Sequence, residues 1–337
     1  MATIKNHVGA SFQIFAFGIV SLLFVALLYK PLYRFTSYDH KPSHFSGVPP
    51  NSKPAMIRTG LHINSFSKVD ILKNDFVFEG EVWFEFDPKL ITIDDLEKFD
   101  IDHGQILERS KPIITPHGEK SIAQYFIRAN FKTNLNYKAF PLDNHSIYIT
   151  ITNRYLDAKK SIFEPVVAHA VTKKDLLTST CTLNNITAES GYVTSSIPLT
   201  NTTLENHYPQ LIFGITCNHV DLRHFLNIFL PLLLIFFFTL FAFSLDFQEH
   251  GTMVPTMAAA GVPALLAYRF VIESISPDVD YFMLSDYLFF LFLFLVFAIF
   301  IAIVAAMHAS EYVKKWMIIG LYACMLASCA VLFYWIL

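Results

Sequence analysis

Arg269 is the only charge inside five long apolar stretches, Phe12–Tyr29, Phe225–Leu245, Met253–Ile272, Tyr287–Met307 and Trp316–Leu337. A guanidinium in hydrocarbon must snorkel to the edge or find a partner. Glu273 lies one helical turn further on, so a pair is available, although Arg before Glu is the weaker helical order. The 13 His offer a second chemistry, because imidazole titrates near neutrality and can report protons. No nucleophile stands beside a base, and no paired catalytic carboxylates or phosphate loop occur, which argues against an enzyme. No inverted repeat of the transporter kind is visible. The 4 Cys show neither CxxC nor Cys/His ligand spacing, so no metal or cofactor is expected. Cys181 and Cys217 can pair if the compartment is oxidising; sequence alone does not decide it. Asn144-His-Ser, Asn185-Ile-Thr and Asn201-Thr-Thr fit the glycosylation pattern, which matters only in a secretory setting.

The elements that must position these groups follow from composition. Of 337 residues, 53% are hydrophobic and 16% charged, with 34 Phe and mean hydropathy +0.43. An ordinary soluble domain carries roughly 25% charged residues. Each apolar stretch approaches the ~17–25 residues that cross hydrocarbon as a helix, so a five-span membrane protein is expected. The net charge of -3, without a Lys/Arg block, gives no reason to expect a nucleic-acid partner.

Nearly all the charge falls between the first two spans. There Ile57, Leu61 and Ile63 alternate with Arg58, His62 and Asn64, and Phe78, Val82, Phe84 and Phe86 with Glu79, Glu81, Trp83 and Glu85. Ile147, Ile149 and Ile151, then Leu211, Phe213 and Ile215, repeat the period of two. Such alternation implies strands with one buried and one wetter face. Turn clusters at Lys73-Asn74-Asp75, Thr115-Pro116-His117-Gly118 and Asn184-Asn185 separate them, and a β-sandwich is the expected result. The expected domains are an N-terminal transmembrane anchor over 1–35, a linker over 36–55, an all-β sandwich over 56–223 and a four-helix transmembrane bundle over 224–337. The first span could instead be a signal peptide, but its length and the absence of a small-residue cleavage site favour a retained anchor. Lys314 and Lys315 favour placing the last short connection inside, and hence the sandwich outside; Lys30 and Arg34 dissent.

Within that order, Phe131-Lys-Thr-Asn-Leu-Asn-Tyr-Lys-Ala-Phe140-Pro141-Leu142-Asp143-Asn144-His145 resembles the signature loop of pentameric ligand-gated ion channels, the Cys-loop receptor superfamily. No Cys flanks the loop, which resembles the prokaryotic branch. Arg223 before the second span, Pro231 within it, and Pro277, Tyr281 and Asp286 in the connection after the third span are similar to that family too. The anchor before the sandwich departs from the common pattern. The resemblance implies an immunoglobulin-like, Greek-key sandwich on the periplasmic or extracellular side of a plasma membrane, the bacterial inner membrane if the source is prokaryotic. It implies a homopentamer among membrane lipids whose third span lines a pore for monovalent cations, opened by a small-molecule or proton agonist.

On that resemblance the axial stripe is Thr256, Ala260, Pro263, Ala267, Phe270 and Ser274, whose spacings of three and four keep one helix face. Its middle is apolar, and Phe270 could gate by dewetting. The stripe lacks the second hydroxyl ring usual in conducting members, and Pro263 should kink the helix. Glu249 at the inner mouth, with Glu273, Asp278 and Asp280 at the outer, would repeat as acidic rings that enrich cations; they are also ordinary solvated helix ends. Asp70, Asp143 and Arg223 resemble the family's coupling cluster, together with Phe140, Pro141, Pro277, Tyr281 and Asp286. The hairpin Ile197–Tyr208 would fold over a ligand pocket walled by Phe163, Tyr192, His207 and Tyr208, with Trp83 facing; core roles compete for each aromatic. His145, where the family more often has a polar amide, is the proton-sensing candidate. The alternative is a non-conducting, membrane-anchored pentameric sensor or scaffold derived from the same family.

Overall fold

The computed structural model describes residues 6–34, 54–166, 182–198, 203–218, 222–245, 252–307 and 309–336. Helix α1 (Asn6–Arg34) opens the chain. Strands β1 (Ala55–Asp70) and β2 (Asp75–Phe86) follow, then the single turn α2 (Ile93–Leu96). Next come β3 (Phe99–Ile101), β4 (Gly104–Arg109), β5 (Ile113–His117), β6 (Lys120–Phe131), β7 (His145–Asn153), β8 (Ser161–Pro165), β9 (Thr182–Pro198) and β10 (Thr203–Asn218). Helices α3 (Leu222–Phe241), α4 (Met253–Ile275), α5 (Leu284–Ala306) and α6 (Glu311–Ile336) complete it. Two compact units result, one of strands and one of helices, and the helical unit includes the segment Tyr137–Asp143.

The strand unit holds two sheets, ordered β4-β6-β2-β1-β8 with β5 also on β6, and β3-β7-β10-β9. The period of two seen in the sequence is what lets them face each other. Phe84 of β2 lies 5.2 Å from Phe99 of β3, and Phe99 lies 5.4 Å from Tyr125 of β6, ring centre to ring centre. Trp83, out of phase with these, lies over Gly60 on the outward side; a Cβ there would sit 2.4 Å from the indole. Glu85 shares Trp83's phase yet is buried, because Arg58 (2.9 Å), Lys120 (3.4 Å) and His117 (3.7 Å) close over it. The wetter face expected at this point is therefore a covered ion cluster.

Two expected turns move. Thr115, Pro116 and His117 belong to edge strand β5, where a proline costs no ladder bond, and the reversal is left to Gly118, at φ +64°, and Glu119. Asn184 and Asn185 lie within β9, where Asn185 pairs with Thr216 of β10 and Asn184 is the extra residue at the irregularity between Thr216 and Cys217. The linker expected over 36–55 lies outside the described residues up to Lys53, as does Cys181.

Four helices, α3 with its terminal 3-10 turn, α4, α5 and α6, are long and apolar enough to cross a membrane. Helix α1 has 29 residues, and its described apolar part spans Ser11–Phe24. The helices run further than the apolar stretches, because hydropathy marks the hydrocarbon and not the helix end: α4 continues through Glu273 to Ile275, and Lys314 and Lys315 stand in the first turns of α6. Lipid gives helices no hydrophobic reason to associate, so contact area and small residues must do it. Phe229 and Phe236 of α3 pack edge-on against Phe292 of α5 at 5.6 and 5.9 Å. Gly261 of α4 admits Thr239 of α3 and Val296 of α5, which would lie 2.4 and 2.8 Å from an added Cβ. Helix α1 lies on α3, with Phe24 stacked on Phe229 at 4.5 Å and Phe17 against Phe237 at 4.2 Å.

Backbone polarity inside this unit is also accounted for. Pro231 has no N–H for the carbonyl of Asn227, and the Tyr268 hydroxyl of α4 donates to it instead. Where α3 tightens into the 3-10 turn Ala242–Ser244, the buried Gln13 amide of α1 donates to the carbonyl of Leu240 at 3.4 Å.

The Glu85 cluster sets a pH dependence. Burial alone would push this carboxyl up, but Lys120 and Arg58 together hold it below its ordinary 4.5. A depressed carboxyl contributes stability that is complete above the unfolded value and is lost as pH falls through the folded one. Glu85→Gln should therefore flatten the acid limb of sandwich stability below about pH 4.5, read by β-sheet circular dichroism melts between pH 3 and 7. An unchanged acid limb would remove the cluster from the account.

Candidate functional site

The start of α5 is tied by hydrogen bonds to both α4 and the segment 137–143. A helix begins with N–H groups that have no intrahelical partner. At α5 the segment 137–143 provides acceptors: Leu284 N–H donates to the carbonyl of Lys138 at 2.9 Å and Ser285 N–H to that of Phe140 at 3.2 Å. In return Tyr137 N–H donates to the Tyr281 hydroxyl at 3.0 Å. The segment holds its own shape through Phe140 N–H to Tyr137 carbonyl and Leu142 N–H to Ala139 carbonyl bonds, with a cis Phe140–Pro141 peptide. Phe140, Pro141, Leu142 and Asp143 are all buried.

Asp286, only 5% exposed, completes the end. One carboxylate oxygen accepts from Met283 N–H at 2.8 Å, and the other takes Arg269 of α4. Arg269 also binds Glu273 at 2.9 Å and lies over the Phe289 ring, 5.4 Å from its centre. The fork geometry of guanidinium allows both carboxylates at once. Both readings of Arg269 are thereby refined: it pairs with Glu273 and also with a carboxylate across the α4–α5 connection. The spacing of seventeen positions across a loop gives no sequence signal for that second partner. A cavity of about 510 Å³ opens beside this pair, bordered by Ile272, Pro277, Asp278, Asp280, Tyr281 and Phe282.

All six stripe residues, Thr256, Ala260, Pro263, Ala267, Phe270 and Ser274, are exposed, and Phe270 is 74% so. The buried residues of α4, namely Val254, Ala258, Gly261, Leu265 and Ile272, lie on the opposite face. Thr256 donates its hydroxyl to the Thr252 carbonyl at 2.8 Å and Ser274 to that of Val271 at 2.8 Å, so each oxygen presents lone pairs outward. Glu273, Asp278 and Asp280 are exposed; Glu249 lies outside the described residues.

Of the coupling residues, Pro277 and Asp286 are buried and Tyr281 is half-buried in the α4–α5 connection and α5 start. Asp70 ends β1 and accepts from Lys73 N–H at 3.0 Å, holding a turn. Arg223 lies in α3, with its side chain outside the described ones. Tyr192, His207 and Tyr208 share the β9–β10 hairpin, with His207 Nδ1 2.9 Å from the Thr194 hydroxyl. Burial pushes the Tyr192 phenol up. Trp83 stands on the other sheet, half-buried. Phe163 is fully buried, 6.0 Å from Phe84, because its phase in β8 turns it inward; it is a core ring and has no wall to offer outside. His145, 1% exposed, begins β7 opposite Cys217.

Replacing Asp286 leaves Arg269 half-paired and Met283 N–H uncapped. Asp286→Ala should destabilise the protein by about 2–4 kcal/mol, read by thermal unfolding in detergent. A double-mutant cycle with Arg269→Ala should show coupling of about 1–3 kcal/mol; additive effects would separate the two residues. No protein-family model and no curated protein matches this sequence.

Proposed function

We propose that this chain is one subunit of a pentameric, ligand- or proton-gated channel selective for cations, seated in the plasma membrane with an immunoglobulin-like, Greek-key sandwich outside and α1 as a fifth span. The observation that carries the reading is the seating of Tyr137–Asp143 on the start of α5. This segment joins two sandwich strands in the chain, yet its carbonyls complete a membrane-length helix. A strain applied at that segment reaches α5 directly, and α4 through Asp286 and Arg269. Such a linkage is what gating from the sandwich to the pore requires.

The pore assignment to α4 is supported by the exposure of its whole stripe and by its being the least apolar of the four long helices. Five copies around an axis would turn Thr256 and Ser274 oxygens inward, and acceptor oxygens suit cations. Asp278 and Asp280 would form the outer acidic ring, while Arg269 offsets Glu273. Tyr208, on the face of β10 opposite to His207 and Leu211, is one side of an aromatic ligand wall that favours ammonium groups, with Trp83 of an adjacent copy facing it; Tyr192, 6% exposed, lies on the inward phase of Leu211 and leaves the wall.

The non-conducting sensor keeps its own support in the apolar run of Ala260, Pro263, Ala267 and Phe270. Particle images of the detergent-solubilised protein should show fivefold symmetry, and planar-bilayer recordings across pH and amine ligands should show cation current. Monomeric particles would reject the assembly. Silence in both the wild type and Phe270→Ala would leave the sensor reading. Arg223→Ala should uncouple agonist from current, and unchanged gating in that variant would remove Arg223 from the linkage.

A further inference from the structure

Helix α1 lies along α3 on a seam of three contacts. Phe24 stacks on Phe229 at 4.5 Å, Phe17 meets Phe237 at 4.2 Å, and the Gln13 amide donates to the Leu240 carbonyl at 3.4 Å. As α1 advances from Gln13 to Phe24 its partners retreat from Leu240 to Phe229, so the seam is one continuous antiparallel register. Ring contacts in lipid allow sliding; Gln13, 3% exposed, fixes the height. Its bond is longer than the ~2.7–3.2 Å usual for N–H···O, and so is easily given up.

The carbonyl that Gln13 holds has a second claimant. In a 3-10 turn each N–H pairs three residues back instead of four. Across Ala242–Ser244 the Ser244 N–H therefore turns to Phe241, and Leu245 N–H to Ala242 at 3.3 Å. Leu240, which an α-helix would pair with Ser244, is passed over. The Ser244 hydroxyl is also left: its oxygen is buried and has no hydrogen-bond partner among the described residues. In an α-helix Ser and Thr return the hydroxyl to the carbonyl four residues earlier. Thr239, Thr256 and Ser276 do so in this bundle, at 2.7, 2.8 and 2.7 Å. For Ser244 that carbonyl is again Leu240's.

We propose that α1 is a strap that selects between two forms of the α3 end. Docked, Gln13 takes the Leu240 carbonyl and the turn stays 3-10. Displaced, α1 yields that carbonyl to the N–H and hydroxyl of Ser244, and Ala242–Ser244 wind into α3. Winding three residues from 3-10 to α shortens the chain by about 1.5 Å and turns it back by about 60°. Ala242 and Phe243 are buried, and the chain beyond them enters α4 at Met253. The strap thus acts on the start of the helix that bears the exposed stripe. The channel and sensor readings give it the same lever, and the device depends on neither.

Hydrogen exchange and melting of the full-length protein in lipid nanodiscs test it. Gln13→Met removes the donor and keeps an apolar side chain of similar length. The N–H groups of 244–246, read by peptide mass spectrometry, should then exchange about fivefold or more slowly, because the helix grows over them. A clamp with no second form would fray instead, so faster or unchanged exchange would overturn the switch. Melting temperature gives an independent reading. With Gln13 in place, Ser244→Ala removes an unpaired buried hydroxyl and should raise it by about 2 °C or more. With Gln13→Met the hydroxyl is bonded to Leu240, and the same substitution should lower it. One sign in both backgrounds would overturn the shared acceptor. Should Gln13→Met not assemble, Ser244→Ala alone decides: a fall or no change would mean that the hydroxyl is already partnered, and would reject the proposal. Particle symmetry enters neither measurement, so failure here and failure of the channel reading are separate results.

Discussion

The carboxylate of Asp286 is the group on which the head of the helical unit depends. One of its oxygens caps α5 at Met283 N–H and the other receives Arg269 from α4. Without it, a guanidinium that entered an apolar helix would keep only an exposed neighbour, Glu273, and a membrane-length helix would begin with an open donor. The acceptors lent by Lys138 and Phe140 finish the same end. Three pieces of chain distant in sequence are thus joined by charge-assisted and backbone hydrogen bonds, which hold direction better than the ring contacts deeper in the bundle.

How far the sequence reveals this depends on the kind of interaction. The four long helices are legible, because some twenty apolar residues in a row have few other uses. The strands are legible where Ile147, Ile149 and Ile151 face one way and their neighbours the other. Their ends are not: Asn184 and Asn185 have turn chemistry, yet a ladder with β10 overrides it. Glu85 has the phase of a wet face and is buried because cations from β1 and β6 fold over it. The string around Phe140-Pro141 is visible as a motif, whereas its seat on α5 is made by carbonyls, which any residue carries. Phe163 shows the converse, an aromatic that spacing could assign to a surface and that strand phase assigns to the core.

Polarity in this bundle comes as much from the backbone as from side chains. Pro231 and the 3-10 turn after Phe241 each release a carbonyl, and Tyr268 and Gln13 answer them from other helices. These bonds tie α1 and α4 to α3 at defined heights, where Phe-on-Phe packing alone would allow sliding. Pro263 differs from Pro231 in lying on the exposed face of α4, away from the face that Gly261 packs on α3 and α5.

The bond between Tyr268 and Asn227 also constrains how the chain can be made. The two residues are 41 positions apart, so the whole of α3 is synthesised before the hydroxyl it needs. Arg269 in turn must wait for Asp286. Helices α3, α4 and the beginning of α5 are each incomplete as solitary guests of the bilayer, and favour release from the insertion machinery as a group rather than one at a time.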